Sequence, residues 1–504
     1  MPSTNLQRRM SSQDAAFLYF ESERAPLHVG SVAVMEGSLP FDVLLEATAS
    51  KMHLIPRYRQ RLVVPPFYVG HPSWEDDPGF SLERHIFQVQ LPPPGTREQL
   101  EQLTSELFEP PMKRDRPLWD IHVIYGLEDG NTAMLSRVHH CLIDGVSGME
   151  LTLILLDLVP DPAPVAPPDE AWAPRSLPGP VQAWTNAVLD QWERNLQAFA
   201  DLRLGALEPR AQLRRATDLA RAVGTATPAM LRRPRPMRWN RRISSKRRVA
   251  WAEMLFQEVR AIRSALGGTV NDVVLAIIGG ALGRYLRAHG ERTDGVAVRV
   301  MIPTNVRSEE EAGALGNRVS MMLADVPVGI EDAVARLEAV RSETSRVKAQ
   351  DQSGAFESFL QMAENVPPAI QRLAGFAGVP GGTFNLVCTN VPGPMIPLYS
   401  VGHRMISFWG MLPLAADLGI GVAIGSYDKS LYVSIMSEPS IVEDVSLIRD
   451  FIDEEFQALR RAAHVDSAEP VEVHVVRPKR RPPSANGARP RAARTKAPAA
   501  STSV

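Results

Sequence analysis

HHCLIDG, at residues 139–145, is the most informative motif of this chain. The residues before it, 132–138, have the composition of a β-strand. The apolar residues after it recur at helical spacing, at Val146, Met149, Leu153 and Leu156. A turn between a strand and a helix presents its side chains beside the helix N-terminus, whose N–H groups favour developing negative charge. The stretch therefore predicts an α/β fold with an acid–base site at this turn.

The two histidines of this stretch supply the candidate chemistry. An imidazole with a pKa of about 6.5 takes a proton from a hydroxyl at neutral pH and returns it to a leaving group, and one such base is sufficient. Asp144 is a candidate to accept a hydrogen bond from the ring, or to pair with an arginine and hold the turn rigid. Gly145 lets the chain bend into the helix without a Cβ clash.

A structural turn without chemistry and a zinc site are the alternatives to this interpretation. Bare spacing of two histidines and an aspartate favours the structural turn. Zinc needs further ligands, and the sequence has no Cys-x-x-Cys or His-Glu-x-x-His pattern, so we predict no metal. The two cysteines, Cys141 and Cys388, exclude a disulfide framework and are typical of a reducing cytosol. We expect Cys141 to fill apolar space behind the turn rather than to act as a nucleophile.

Length and composition exclude several classes of protein. A chain of 504 residues is too long for one ordinary core, so we expect two domains. A net charge of −2 with 22% charged residues gives no general attraction to nucleic acid. No run reaches about 18 apolar residues, and the N-terminus lacks an apolar segment, so we expect neither a membrane-spanning helix nor a standard secretion signal.

The order of the predicted elements divides the chain into four segments. We predict an N-terminal α/β domain at 1–159, a Pro-rich and basic connector at 160–248, a C-terminal α/β domain at 249–465 and a disordered basic tail at 466–504. The connector contains a helix with an apolar stripe formed by Trp184, Val188, Trp192, Leu196 and Phe199. We expect this stripe to pack over the domain junction, with a lipid-facing role as the alternative.

The second half of the chain has clear local signals. Gly267-Gly268-Thr269 start a buried helix, and 296–302 reads as a strand that ends at Pro303. A further strand at 383–389, a hairpin turning at Asp428-Lys429 and a C-terminal helix from Val445 to Leu459 follow. Basic residues crowd between 232 and 248, and they suit anionic lipid headgroups, the phosphates of CoA, or simply water.

HHCLIDG resembles the HHxxxDG signature of the chloramphenicol-acetyltransferase-like superfamily of CoA-dependent acyltransferases and peptide-synthetase condensation domains. Within it, the chain looks like the bacterial wax ester synthase/diacylglycerol acyltransferases from about residue 10 to about residue 462. The matching stretches are SSQDAAFLYFESERAPLHVG (11–30), IPRYRQRL (55–62), RPLW (116–119), GGTVNDVVLA (267–276), IPTNVRS (302–308), GALGNRVS (313–320) and FNLVCTNVPGP (384–394). Several independent matches in the order of the family are far more specific than one short motif.

The resemblance implies an architecture and an activity. The architecture is α/β (α+β), with two chloramphenicol-acetyltransferase-like domains whose mixed β-sheets are flanked by helices, and with the active site in the channel at their interface. The activity is O-acyl transfer from a long-chain acyl-CoA to diacylglycerol or to a long-chain alcohol. No cofactor is implied, because acyl-CoA is a substrate.

The resemblance also implies roles for particular residues. It makes His140 the general base and His139 a support for the fold, while Asn271 steadies the acceptor or the oxyanion. Asp272 belongs to the same Asn-Asp motif, although both residues are equally suited to cap a helix.

Other site assignments from the sequence are weaker. Arg57, Arg59 and Arg61 alternate as on one face of a strand, and by resemblance to condensation domains Arg57 or Arg59 holds Asp144. Residues 390–394 read as a turn near the site. Candidates to line the acyl pocket, or to form plain core, are Pro117, Leu118 and Trp119.

Two rival functions stay open on the sequence. One is a condensation-type enzyme that uses a carrier-bound donor, and the other is a non-catalytic protein of lipid surfaces. The expected location is the cytoplasm, with peripheral attachment to the inner membrane face or lipid droplets as a hypothesis. The sequence sets no oligomeric state.

Overall fold

Two six-stranded mixed β-sheets organise the computed structural model of this chain. The structure describes residues 9–142, 153–206, 232–305, 319–349, 368–377, 382–415 and 417–465, all within one compact unit. The strands are β1 (His28–Met35), β2 (Gln60–Val63), β3 (Ser73–Asp76), β4 (Ile86–Gln90), β5 (Trp119–Tyr125), β6 (Thr132–His139), β7 (Arg248–Leu255), β8 (Ala297–Asn305), β9 (Val319–Pro327), β10 (Leu386–Val391), β11 (Tyr399–Ser400), β12 (His403–Met411), β13 (Ile420–Tyr427) and β14 (Ser430–Ser437). The α-helices are α1 (Ser12–Phe20), α2 (Phe41–Lys51), α3 (Arg97–Phe108), α4 (Pro180–Ala206), α5 (Phe256–Leu266), α6 (Val270–Ala288), α7 (Ala333–Ala349), α8 (Pro368–Ala377) and α9 (Val445–Ala462).

Both sheets combine parallel and antiparallel pairs, as predicted. The first sheet has the order β11-β12-β1-β6-β5-β4, and only β4 and β5 run parallel. The second has the order β7-β14-β13-β10-β8-β9, in which β10 pairs in parallel with both β13 and β8. Strands β2 and β3 form a separate hairpin. The α/β fold with mixed sheets is therefore confirmed, whereas the channel and the four segment boundaries remain predictions.

Strand β12 ties the two halves of the chain together. It comes from the second half of the sequence, yet it pairs with β1 of the first sheet, with Val32 opposite Trp409. The indole of Trp409 stacks on that of Trp251 at 4.7 Å between centroids. Arg97 of α3 donates to the carbonyl oxygen of Trp251 at 2.6 Å and lies over the Trp409 ring. The sequence interpretation did not foresee this exchange of a strand.

Helix α6 is the centre of the second core. Most of its side chains between Asp272 and Leu286 are buried, among them Val273, Ile277 and Leu282. Helices α5, α7 and α9 pack around it, and the second sheet completes the core. Thr269 starts α6 with a reciprocal capping box, as the Gly267-Gly268-Thr269 signal predicted.

Several local predictions are confirmed. The predicted strand before the histidines is β6, the hairpin turns at Asp428-Lys429, and the C-terminal helix is α9. The proline-rich stretch from 160 to 179 contains neither helix nor strand. The helix expected after Gly145 falls largely on residues 143–152, and this part of it, like the tail from 466, lies outside the described residues.

Other local predictions are wrong. Strand β8 does not end at Pro303 but continues to Asn305, and Pro303 lies opposite Met321 of β9. The register between β8 and its other neighbour, β10, reaches only Met301, so Pro303 lies past that pairing and its missing N–H is tolerated there.

Arg57 and Arg59 do not share a strand face, because they lie in a 3-10 helix at Pro56–Arg59. Proline at the first helical position favours such a turn. Only Arg61 lies on a strand, β2.

The connector helix α4 is present, but its predicted packing is wrong. The apolar side chains of the stripe face outward, with Trp184 42%, Trp192 64% and Leu196 53% exposed. The side chain of Phe199 lies outside the described part of the chain.

The basic cluster at 232–248 is partly built into the framework. Arg247 is buried and donates to three backbone carbonyls, one of them of Arg24. Arg232 pairs with Asp325 at 3.2 Å, and Lys246 pairs with Glu109. Arg232 and Lys246 are exposed although they form these ion pairs, and the other exposed members of the cluster are Arg233, Arg235, Arg241, Arg242 and Arg248. The predicted binding of lipid headgroups or CoA phosphates therefore concerns these five arginines.

In the parts of the chain that the structure describes, no single helix has both the length and the hydropathy of a membrane span. Helices α5 and α6 meet the criterion only as a pair that is bent by 97°.

Candidate active site

The histidine turn begins where β6 ends. Strand β6 lies between β1 and β5, and its last residue is His139. The N–H of His139 donates to the carbonyl of Leu118, and the N–H of His140 donates to the carbonyl of Leu27 at 2.9 Å. The N–H of Leu142 then closes the turn on the carbonyl of His139. These bonds fix the backbone of both histidines.

His139 is locked inside the protein. Its side chain is 1% exposed, and its Nε2 atom lies 3.1 Å from Oε1 of Glu21. Its Nδ1 atom accepts the backbone N–H of Cys141 at 3.1 Å, so in this arrangement the ring proton belongs on Nε2, facing the carboxylate. With both ring nitrogens directed at protein groups, His139 supports the turn.

Glu21 is the carboxylate that organises this support. Its Oε1 atom accepts the N–H of Leu27 at 3.0 Å, and its Oε2 atom accepts from Arg114 at 2.7 Å. Burial raises the pKa of Glu21, but the contacts of its carboxylate with His139, Arg114 and the N–H of Leu27 outweigh burial and lower the pKa to about 2. The carboxylate is therefore ionised at any physiological pH.

His140 occupies a different environment. Its ring is only partly buried and stacks on the ring of Phe17, with the centroids 3.8 Å apart and the planes at 7°. A flat stack restricts rotation of an imidazole while its edge stays accessible to a reactant. Of the two histidines, His140 is thus the one whose ring is partly accessible to a reactant.

Phe17 is held in place by the packing of α1. In α1, the hydroxyl of Ser12 lies 3.0 Å from Nε2 of His71, and the hydroxyl of Tyr19 lies 3.0 Å from Nδ1 of the same ring. Both are hydrogen-bond distances. Helix α8, from the second half of the chain, packs against α1, and Arg372 of α8 lies over the Tyr68 ring at 3.8 Å. The second half of the chain therefore supports α1, the helix that carries Phe17.

Cys141 is buried in the first core, as expected for a packing residue. Burial raises the pKa of its thiol well above the usual value, and the charges of Asp14 and Glu21 raise it further. A thiol in this state is a poor nucleophile.

Asn271 and Asp272 turn out to have separate roles at the start of α6. Asp272 accepts the N–H of Thr269 at 2.8 Å and the hydroxyl of Thr344 at 2.7 Å, so it is a helix cap. Asn271 is partly exposed, and its Oδ1 atom lies 3.4 Å from Nδ2 of Asn390. Asn390 is the last but one residue of β10, so the first two residues of the turn predicted at 390–394 belong to a strand, and 392–394 form neither helix nor strand. The two asparagines, distant in sequence, form one amide pair.

Arg57 lies near the motif, while Arg59 points elsewhere. The guanidinium of Arg57 lies over the Trp74 ring at 4.8 Å. Burial lowers the pKa of Arg57 to about 10, against the charge of Asp14. Arg59 lies over Trp172 at 4.7 Å. Asp144 and Gly145 lie outside the described residues, so the pairing of Asp144 with an arginine stays a prediction.

Pro117, Leu118 and Trp119 are all buried, and Trp119 begins β5, the strand beside β6, where it lies opposite Val138. The indole N–H of Trp119 donates to the carbonyl of Tyr58 at 2.8 Å, and its ring stacks on those of Tyr58 and His85. The sequence left open whether these residues line the acyl pocket or form plain core, and these contacts favour the core role. An acyl-pocket role remains a prediction.

The sequence interpretation missed Phe17, Glu21 and Arg114. The first two lie within the stretch 11–30 that carried the resemblance, so that stretch was the available signal. Their partnership with the histidines had no local signature. Over the described ranges, no group of three His, Cys, Asp or Glu side chains is placed to hold a metal ion.

Comparison with known proteins decides the family. Residues 10–274 match the wax ester synthase/diacylglycerol acyltransferase catalytic domain, and residues 315–460 match the C-terminal domain of the same enzymes. The chain belongs to the wax ester synthase/diacylglycerol acyltransferase family. It is an acyltransferase.

Relatives of this acyltransferase match over most of their length. A Mycobacterium tuberculosis protein named as a probable diacylglycerol O-acyltransferase is 30% identical over 459 residues, which cover 88% of this chain and 94% of the relative. A second protein of that organism with the same kind of name is 31% identical over 402 residues, which cover 77% of this chain and 85% of the relative.

Solved structures share the fold. The wax ester synthase/diacylglycerol acyltransferase from Marinobacter aquaeolei VT8 is 24% identical, with a TM-score of 0.65, covering 91% of this chain and 100% of that structure. The first condensation domain of the calcium-dependent antibiotic synthetase is 16% identical, with a TM-score of 0.57, covering 92% and 97%. At these identities the similarity concerns the fold alone.

Proposed function

We propose that this acyltransferase moves a long-chain acyl group from acyl-CoA to the hydroxyl of diacylglycerol or of a long-chain alcohol, with His140 as general base. The family and the names of the relatives support the substrates. The observation that carries the assignment of the base is the contrast between the histidines. His139 is buried against Glu21, whereas His140 is stacked on Phe17 and partly accessible.

His140 removes the proton of the acceptor hydroxyl as its oxygen attacks the thioester carbonyl carbon. The tetrahedral intermediate then collapses, the carbon–sulfur bond breaks, and the proton passes to the sulfur of CoA. The products are an ester and free CoA, so no acyl-enzyme is needed. General-base catalysis of this kind contributes about 10²–10⁴-fold to the rate.

Asn271 serves this reaction as a hydrogen-bond donor. Because its Oδ1 atom faces Asn390, its Nδ2 hydrogens are available on the other side of the amide. They donate to the acceptor oxygen or to the oxyanion. Asp272 and Thr269 position this amide through the helix cap.

Acceptor and product are lipids, so we propose that the enzyme works from the cytoplasm at the surface of a membrane or lipid droplet. Cys141 and Cys388 are free and buried, which suits a reducing compartment. Acyl-CoA is a substrate and no further cofactor enters the proposal.

The test measures CoA release from palmitoyl-CoA with purified protein, offered hexadecanol or diacylglycerol separately. We expect release that depends on the acceptor and that falls at least about 100-fold in His140→Ala. The matched control is His53→Ala, which removes a partly exposed histidine from another turn and should leave release unchanged.

The two parts of the proposal fail in different ways. Full activity in His140→Ala would refute the base assignment. No release by the wild type with either acceptor would refute the substrates, and transfer only from a carrier-bound donor would favour the condensation-type alternative. A binding protein without activity would show no turnover for the substitution to remove.

A further inference from the structure

Helix α4 buries small side chains and exposes large apolar ones, which is the reverse of an ordinary surface helix. Its small residues Ala183 and Ala187 are buried, at 8% and 6% exposure. The large apolar side chains that it exposes are Val181, Trp184, Val188, Leu189, Trp192 and Leu196. At about 100° per residue, the two alanines lie on the side of the helix opposite to this apolar set. A surface helix normally buries its large apolar residues, so this arrangement calls for an external partner.

Specific contacts hold α4 with this face outward. A Cβ atom on Gly70 would lie 3.0 Å from Cβ of Ala187, tighter than ordinary van der Waals contact, so α4 packs closely against the backbone at Gly70. Asp190, on the inner side, forms an ion pair with Arg9. The inner face of α4 therefore packs against the protein through contacts of its own. The large apolar side chains face outward because another side of the helix makes these contacts.

A second apolar group extends the surface. Phe67 is 86% exposed, and both it and Tyr68 have positive φ angles, 58° and 53°. Side chains other than glycine rarely adopt this conformation, and such strain is concentrated at functional sites. The next residue, Val69, joins Val188, Leu189 and Trp192 in lining a groove of about 500 Å³. Phe67 and α4 thus form one patch, which we call the α4 surface.

The chemistry of the α4 surface fits a lipid layer with neutral headgroups. Between Val181 and Trp192 the only charged residue is Asp190, which faces inward, so this stretch offers no cationic side chain to anionic headgroups. Tryptophan is the residue typical of the membrane–water boundary, and two of them stand here. A helix of 27 residues is about 40 Å long and lies flat on such a boundary.

We propose that the α4 surface inserts into the cytoplasm-facing lipid layer of a membrane or droplet through apolar contact rather than charge. The inference deepens the proposed function by identifying the surface that meets the lipid, and it rests on that function for its setting. It places Trp184, Trp192 and Leu196 among the acyl chains just below the headgroups. Binding is then insensitive to salt, unlike binding through the arginines of the 232–248 cluster.

The test compares flotation of the full chain with phosphatidylcholine vesicles for the wild type and for Trp184→Gln/Trp192→Gln/Leu196→Gln. Transfer of a half-exposed large apolar side chain contributes about five-fold to partitioning, so the triple variant should bind about 100-fold more weakly. Glutamine keeps the helix propensity. The control is Val334→Gln on α7, which removes an exposed apolar side chain in the second half of the chain.

Tryptophan emission gives a second measurement. The remaining tryptophans are buried or partly buried, so a blue shift on adding vesicles reports Trp184 and Trp192. We expect the shift in the wild type and in Val334→Gln, unchanged between about 50 mM and about 500 mM salt. In Trp184→Gln/Trp192→Gln/Leu196→Gln we expect no shift.

Three results would overturn the proposal. They are wild-type protein that does not float, triple-variant protein that floats equally well, and binding that needs anionic lipid and disappears with salt. A wild-type dimer that the triple variant converts to a monomer would assign the surface to a second copy instead. Flotation of His140→Ala protein keeps this test separate from turnover, since that variant should bind like the wild type even if the proposed reaction fails.

Discussion

Replacing Glu21 by glutamine should destabilise the protein, because it removes the charge between His139 and Arg114 while keeping the shape of the side chain. The side chain of Glu21 is 5% exposed, accepts from the N–H of Leu27 and from Arg114, and lies 3.1 Å from Nε2 of His139. Its pKa is about 2 in the folded protein, against 4.5 for an ordinary glutamate in water. That difference corresponds to about 3 kcal/mol of folding free energy at neutral pH. Glutamine still accepts one hydrogen bond, so we expect a loss of about 2–3 kcal/mol.

The pH dependence follows from the sign of the shift. Because folding lowers the pKa, the stabilisation is complete above about pH 4.5 and declines as the pH falls toward about 2. Urea unfolding of wild type and Glu21→Gln should therefore differ by a constant amount from pH 8 to about pH 5. The difference should begin to shrink below that.

Glu23→Gln is the matched control, because Glu23 is an exposed glutamate two residues along. It should unfold like the wild type within about 0.5 kcal/mol. A Glu21→Gln effect as small as that of Glu23→Gln would refute the reasoning. So would a difference that stays constant between about pH 5 and about pH 3, since the ionised carboxylate would then not be its source.

Two further predictions concern the elements beside the site. Thr269→Ala removes the capping hydroxyl of α6 and should lower the free energy of unfolding in urea by about 1–2 kcal/mol. Thr185→Ala, on the exposed side of α4, is the neutral control. Equal stability of both variants would count against the capping role. Phe17→Leu keeps an apolar side chain but removes the stack on His140, so CoA release should fall up to about 10-fold with unchanged unfolding; full activity would show that the stack does not orient the ring.

Predictions from the sequence succeeded where the signal was local. The strand before the histidines, the capped helix α6 and the hairpin at Asp428-Lys429 depend on residues that are neighbours in the chain. Prolines misled twice: Pro303 lies within a strand, and Pro56 starts a 3-10 turn that takes Arg57 off the expected strand face. In both cases the local backbone structure at the proline depended on the strand or turn in which the fold places it. The sequence alone does not show this.

The candidate site was only half visible in the sequence. The sequence shows directly the motif with its two histidines and the asparagine of α6. The division of labour between His139 and His140 depends on Glu21 and Phe17, which reach the turn only after α1 packs beside β6. Similarly, the pairing of Asn271 with Asn390 requires α6 and β10 to meet.

The α/β character of this acyltransferase, its family and its candidate base could be predicted from the sequence, because hydrophobic period, capping residues and motifs are properties of contiguous residues. The tertiary structure alone decided that β12 joins the first sheet, that Glu21 holds His139, and that α4 turns its tryptophans outward. An apolar stripe specifies that a helix has an apolar face, but not what that face will meet. That depends on which groups lie beneath the helix, here Gly70 and Arg9, and these come from distant parts of the chain.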